Sequence, residues 1–247
     1  MTVWQSPSNP PVIDKSKVHI WRANLNFSPA EVVRLTAFLS TDEIARANKF
    51  RFPQHKRRFI AARSILRQLL SNYLNISPNN IKFDYGDRGK PKIIESNTAN
   101  SLQFNISHSQ EYALFGFTTS NLIGVDLEYL REMPDAVKIA QRFFSPREFD
   151  LIKNLTPQQQ SQVFFKLWTA KEAYLKAIGI GLSGSLSSVD IDFTLDNNNT
   201  LILAINGNTT IANNWSMYSC IPSSNYVGAI AIKTQIAKQQ IDFWSWH

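Results

Sequence analysis

Apolar side chains recur along this chain with two different periods. Short stretches rich in β-branched and aromatic residues fall at 18–26 (VHIWRANLN), 102–106 (LQFNI), 112–118, 122–128, 188–193, 200–205, 214–220 and 226–232. Their length and composition predict β-strands. Between them apolar residues return every three or four positions. Phe59, Ile60, Leu66, Leu69, Leu70 and Tyr73 give one face of a long helix over 57–74. Phe164, Leu167, Trp168, Tyr174, Leu175 and Ile178 do the same over about 158–178, where Gly179 and Gly181 predict the stop. Helix starts are marked by Ser with Glu three residues on, at Ser28, Ser40 and Ser145. This capping box satisfies the first free backbone N–H groups. Two of the three carry proline at the next position, where its missing N–H costs nothing. DNNNT at 196–200 predicts a turn between two strands.

The pattern repeats. FLSTDEI (38–44) is similar to FFSPREF (143–149), FIAARSILR (59–67) to WTAKEAYLK (168–176), and YALFGF (112–117) to YVGAIAI (226–232), in the same order. We read an α+β fold built as a pseudo-twofold pair of similar subdomains, 1–120 and 121–247, with the join near residue 120.

Composition narrows the setting. The chain has 247 residues, and 43% apolar with 18% charged residues fits a globular domain. No apolar run of 18 residues occurs, so no membrane span is expected, and the Pro/Ser/Asn-rich start does not read as a signal peptide. A single cysteine, Cys220, rules out an internal disulfide and points to a reducing, cytoplasmic setting. Twenty-six basic against 19 acidic residues leave +7, which favours anionic partners. Nucleic acid is not the partner we expect: the basic residues form no single run, and no glycine–aromatic recognition signature appears.

Candidate chemistry begins at GVDLE (124–128). Asp126 and Glu128 share one face of a strand, and Glu172 offers a third carboxylate from the second long helix, in one stripe with Trp168 and Lys176. Three carboxylates without His or Cys suit a hard cation, Mg²⁺ before Zn²⁺, and Mg²⁺ commonly completes its shell with substrate phosphates. The first half carries the means to hold those phosphates. Arg58, Arg63 and Arg67 lie on one helix, Lys90 in the loop RGKP (88–91), and Ser107 and His108 in a loop expected just past an apolar strand.

With GKP (89–91), FNISHS (104–109), GVDLE (124–128) and FFSPREF…LWTAKEAYLKAIGIGLS (143–183) in this order, the chain resembles the 4′-phosphopantetheinyl transferases of the surfactin-synthetase-activating type. The resemblance spans most of 40–190. It implies transfer of 4′-phosphopantetheine from coenzyme A to a serine of an acidic acyl or peptidyl carrier protein, with Mg²⁺ as cofactor and coenzyme A as co-substrate in an active-site cleft between the two halves. It implies Asp126, Glu128 and Glu172 as metal ligands, and Lys90, Ser107, His108, Lys171 and Lys176 as coenzyme A contacts. Arg58 joins that set from its place on the helix, and Arg46 would stand near the 3′-phosphate. Glu172, Lys176 and Asp126 form the expected catalytic group, Glu172 as base. The family often carries further basic residues near 43–46, where this chain has Glu43 and Ile44. Exposed apolar residues after Ser107 and in 143–155 are expected to dock the carrier, and a monomer is expected because both halves of the cleft come from one chain.

Overall fold

A computed structural model describes residues 2–9, 11–86, 89–94, 102–181, 185–193 and 200–247. The chain runs β1 (Val18–Asn24), α1 (Pro29–Thr36), α2 (Thr41–Ala47), α3 (Pro53–Leu74), β2 (Phe83–Tyr85), β3 (Pro91–Ile93), β4 (Leu102–Ser109) and β5 (Tyr112–Thr119). It then runs β6 (Ile123–Tyr129), α4 (Ala136–Phe143), α5 (Pro146–Lys153), α6 (Pro157–Ile178), β7 (Val189–Phe193), β8 (Thr200–Ile205), α7 (Thr209–Ala212), β9 (Ser216–Cys220), β10 (Tyr226–Ile232) and β11 (Ile241–Ser245). Most of the turn expected at 196–200 lies outside the described residues, as does Arg88 of the RGKP loop.

The order strand, two short helices, long helix, small hairpin and antiparallel strand pair occurs twice. One sheet has the order β11-β1-β5-β4 and the other β6-β10-β9. The long helices show the repeat most sharply. Both α3 and α6 have 22 residues, start on proline and end on a left-handed residue, Asn75 (φ 54°) and Gly179 (φ 79°). This pairing makes Lys171, not Lys176, the counterpart of Arg67. Matching the letters of 59–67 to 168–176 therefore sets the helix phase five residues off.

Alternation in the strands sorts the layers. In β5, Ala113, Phe115 and Phe117 join the core under α3, with Ile65, Leu66, Leu69 and Leu70, while Leu114 faces the second sheet. In β6, Ile123, Val125 and Leu127 face the first sheet. In β10, Val227, Ala229 and Ala231 pack with α6, and Ile230 and Ile232 point the other way. The result is helix, sheet, sheet, helix, with period-two strands shared between two cores.

Three differences from the sequence expectations matter. β4 extends to Ser109, since Ser109 pairs with Tyr112 across a tight hairpin holding Gln110 at φ 48°; Ser107 and His108 are strand residues, not loop residues. β11 pairs in parallel with β1, so the first sheet takes a strand from the far end of the chain. The short strands β2 and β3 and helix α4 carry little periodic signal and were not expected.

Candidate active site

Gly124 sets the distance between β6 and α6. A Cβ there would lie 2.0 Å from the Ala173 carbonyl oxygen and 2.4 Å from the Ala177 nitrogen. Only a residue without a side chain lets the strand rest on the helix backbone. This contact carries Asp126, two residues on, to the turn of α6 that holds Glu172 and Lys176.

Lys176 Nζ lies 2.5 Å from Asp126 Oδ1 and donates to Ser107 Oγ at 2.8 Å; the Ser107 hydroxyl donates in turn to Asp126 Oδ1 at 2.9 Å. Asp126 Oδ2 and Glu172 Oε1 are buried without a hydrogen-bond partner. Burial first, and then the neighbouring Asp126, push the Glu172 carboxyl up to about 7. Glu128 is also raised, by burial and by Asp126, and receives the Ser109 hydroxyl at 3.0 Å. Three acids thus face one nearby lysine, a local deficit of positive charge.

A side-chain ladder from the first half holds these acids. Asn105, Ser107 and Ser109 project from one face of edge strand β4 toward β6. Val125 N donates to Asn105 Oδ1 at 2.9 Å, Ser107 meets Asp126, and Ser109 meets both Glu128 and the Tyr129 N–H, the latter at 3.2 Å. The ladder replaces backbone pairing where the two sheets meet. Its signal in the sequence is the polar residue at every second position of FNISHS, with Phe104 and Ile106 turned to the helix side.

The cleft beside this cluster is a cavity of about 450 Å³, lined by Glu172 and Lys176 at one end and by Arg46, Phe59, Arg63 and Tyr85 among the rest. Lys90, Asn105 and His108 also line it. The Lys90 ammonium is already engaged: it donates to the carbonyls of Lys176 (2.7 Å) and Ala177 (2.9 Å), capping the end of α6. Burial lowers it to about 8.

Two expected contacts lie elsewhere. Lys171 is fully buried, pairs with Glu148 at 2.7 Å, and donates to the carbonyls of Leu186 (2.8 Å) and Val189. Its place one position before Glu172 turns it about 100° around α6, into the core. Arg58 pairs with Glu111 and is not part of the cavity wall. Arg67 is likewise buried, on Glu43 and the carbonyls of Pro78 and Ile81.

The residues fit a hard divalent cation by donor chemistry, through the two orphan carboxylate oxygens and the uncompensated charge around them. Among the described residues, no three His, Cys, Asp or Glu side chains already surround one point. Asp126 and Glu172 supply the pair of unpartnered donor oxygens, and Glu128 is held on Ser109.

Residues 23–119 match the family model described as 4′-phosphopantetheinyl transferase, N-terminal, and residues 122–231 match the 4′-phosphopantetheinyl transferase superfamily. The chain is 43% identical over 216 residues to the 4′-phosphopantetheinyl transferase HetI of Nostoc sp., covering 87% of each chain. It belongs to the 4′-phosphopantetheinyl transferase superfamily. The transferase is also 31% identical over 173 residues to psf-1 of Bacillus pumilus, covering 70% of this chain and 72% of that one. A solved structure of a holo-(acyl-carrier-protein) synthase from Bacillus anthracis, in complex with CoA (3′,5′-ADP), covers 47% of this chain and 98% of its own. It has 18% identity and a TM-score of 0.38. Residues of both repeats line the cavity of the transferase.

Proposed function

We propose that this enzyme transfers 4′-phosphopantetheine from coenzyme A to a serine hydroxyl of an apo acyl or peptidyl carrier protein, with Mg²⁺ as cofactor. The observation that carries the reading is the pair of buried, unpartnered carboxylate oxygens on Asp126 and Glu172, beside Lys176 at a cavity of about 450 Å³. Asp126, Glu172 and Glu128 would hold Mg²⁺, which when bound neutralises charge on the diphosphate.

The serine oxygen forms a bond to the β-phosphorus, and the bond from that phosphorus to the bridging oxygen breaks. The products are holo carrier protein and 3′,5′-ADP. Glu172 takes the serine proton as the general base. Lys176 turns from Asp126 to the leaving phosphate, where an ammonium stabilises developing charge. Ser107 and His108 on β4 border the diphosphate, and Arg46 its nucleotide end.

The carrier is an acidic helical domain drawn by the +7 charge. Exposed Phe143 and the α5 region form its docking surface. The enzyme works as a monomer in the cytoplasm. The test is mass spectrometry of an apo carrier protein incubated with coenzyme A and Mg²⁺. Gain of one phosphopantetheine mass, lost with a chelator and restored by Mg²⁺, is the expected result; no gain under any condition refutes the reading.

A further inference from the structure

The two edges of the first sheet are closed in different ways. The β4 edge is braced on β6 by Asn105, Ser107 and Ser109. At the other edge stands β11, whose sequence IDFWS holds neither lysine nor proline, the residues that commonly keep an edge strand from pairing. The arm of residues 2–6 lies there instead. Gln5 N donates to the Phe243 carbonyl oxygen at 2.9 Å and Ser245 N to the Gln5 carbonyl oxygen at 2.7 Å, a single parallel bridge opposite Trp244. Side chains pin the arm on both sides of it. The Trp4 indole N–H donates to the Ile221 carbonyl oxygen at 2.9 Å, its ring meets Phe243 edge to face at 5.1 Å, and the Arg22 guanidinium lies 5.0 Å over it. Ser6 Oγ and His247 Nε2 are 2.8 Å apart.

This cover is light, and what lies beneath it is self-complementary. Pro7, Pro10 and Pro11 have no N–H with which to lengthen the bridge into a ladder. In a strand the N–H and C=O of one residue face the same edge. The two bonds to the arm therefore mark Phe243 and Ser245, and by alternation Ile241, as the residues whose backbone groups turn outward. Set two such edges antiparallel about a twofold axis at Phe243. Ile241 then meets Ser245 of the second copy, Phe243 meets Phe243, and Asp242 meets Trp244. Every outward-turned residue falls opposite another, as a hydrogen-bonded pair requires, and the Phe243 rings form a cross-strand aromatic pair. Asp242, the one charged residue of the strand, is held by Lys17 at 3.2 Å and never faces itself.

We infer that residues 2–6 are a detachable guard strand over a homodimerisation surface: when the arm leaves, the β11 edge pairs antiparallel with the β11 edge of a second copy and joins two first sheets into one. Neither Trp4 nor Gln5 lines the cavity, so the guard acts apart from the transfer reaction. What it governs is the number of chains in the particle.

The experiment compares the full-length wild type with the double variant Trp4→Ala/Gln5→Pro, by light scattering over a wide range of concentration and by hydrogen exchange at 241–245. Proline removes the N–H given to Phe243, and alanine removes the indole anchor. Wild type should keep the mass of one chain throughout. The double variant should exchange faster at 241–245 when dilute, then double its mass and regain protection there when concentrated. A peptide of residues 1–9, added in excess, should return it to one chain mass, and the same peptide carrying Gln5→Pro should not. Should the double variant fail to fold, Gln5→Pro alone, which keeps the Trp4 anchor, carries the test with weaker association. A variant that exchanges faster yet keeps one chain mass at every concentration overturns the proposal, as does a dimer that the unaltered peptide leaves intact. Unchanged exchange in the dilute variant, or a wild type already at two chain masses, overturns it too, because the arm would then guard nothing.

Discussion

Gly124 and Ala173 touch backbone to backbone: the strand that bears the acidic pair lies flat on the helix that bears Glu172, with no room for a methyl group between them. Gly124→Ala must push β6 off α6. Overpacking of this kind costs about 1–3 kcal/mol and more against backbone. We expect a lower melting temperature and a loss of kcat larger than stability explains, because Asp126 and Glu172 move apart. Calorimetry beside a single-turnover assay separates the two effects. A variant that folds and turns over like wild type would show that this contact does not position the acids.

Glu172 makes stability and activity pull in opposite directions. Its carboxyl titrates near 7 in the folded protein against 4.5 as the ordinary value. The native state then holds the proton that the unfolded state has released, so metal-free stability falls as pH rises from about 4.5 to 7 and stays lowered above it. The penalty is on the order of 2–3 kcal/mol. Glu172→Gln should therefore be more stable than wild type at pH 8 in chelator, equal near pH 4, and inactive. Urea unfolding at several pH values reads this directly. Added Mg²⁺ should stabilise wild type and not the variant.

Lys171→Met should act on the fold and not on coenzyme A. It strands Glu148 in the core without its partner, which costs about 3–5 kcal/mol. At a temperature where the variant remains folded, KM for coenzyme A should match wild type. A selective rise in that KM would return Lys171 to the site.

Asn105→Ala removes the acceptor for the Val125 N–H, a buried donor whose loss of partner costs about 1–3 kcal/mol. Because Asn105 belongs to the first half and Val125 to the second, we expect faster hydrogen exchange at 124–129 and a weaker apparent Mg²⁺ dependence, read by exchange mass spectrometry and by titration of activity. Unchanged exchange there would show that the ladder does not brace β6.

Much of this was legible in the linear pattern. The 226–232 strand coincides with β10, and the long helices were placed within a few residues, because period and capping act locally. Asp126, Glu172 and Lys176 were legible as a group because strand and helix periodicity put them on definable faces. The burial of Lys171 and Arg67 was not: a basic residue within a helix reads the same whether its glutamate partner lies across the core or the head faces water. Lys90 shows a similar limit, since nothing in GKP tells that its ammonium closes the end of a helix 86 residues away. The pairing of β1 with β11 joins the two ends of the chain, and no local preference reports it.

That last pairing has a temporal side. β1 is made early and its parallel neighbour some 220 residues later, on the order of ten to forty seconds of synthesis. Throughout that interval one flank of β1 offers bare amide and carbonyl groups to any passing strand, so a nascent chain of this transferase carries an open zipper until β11 emerges.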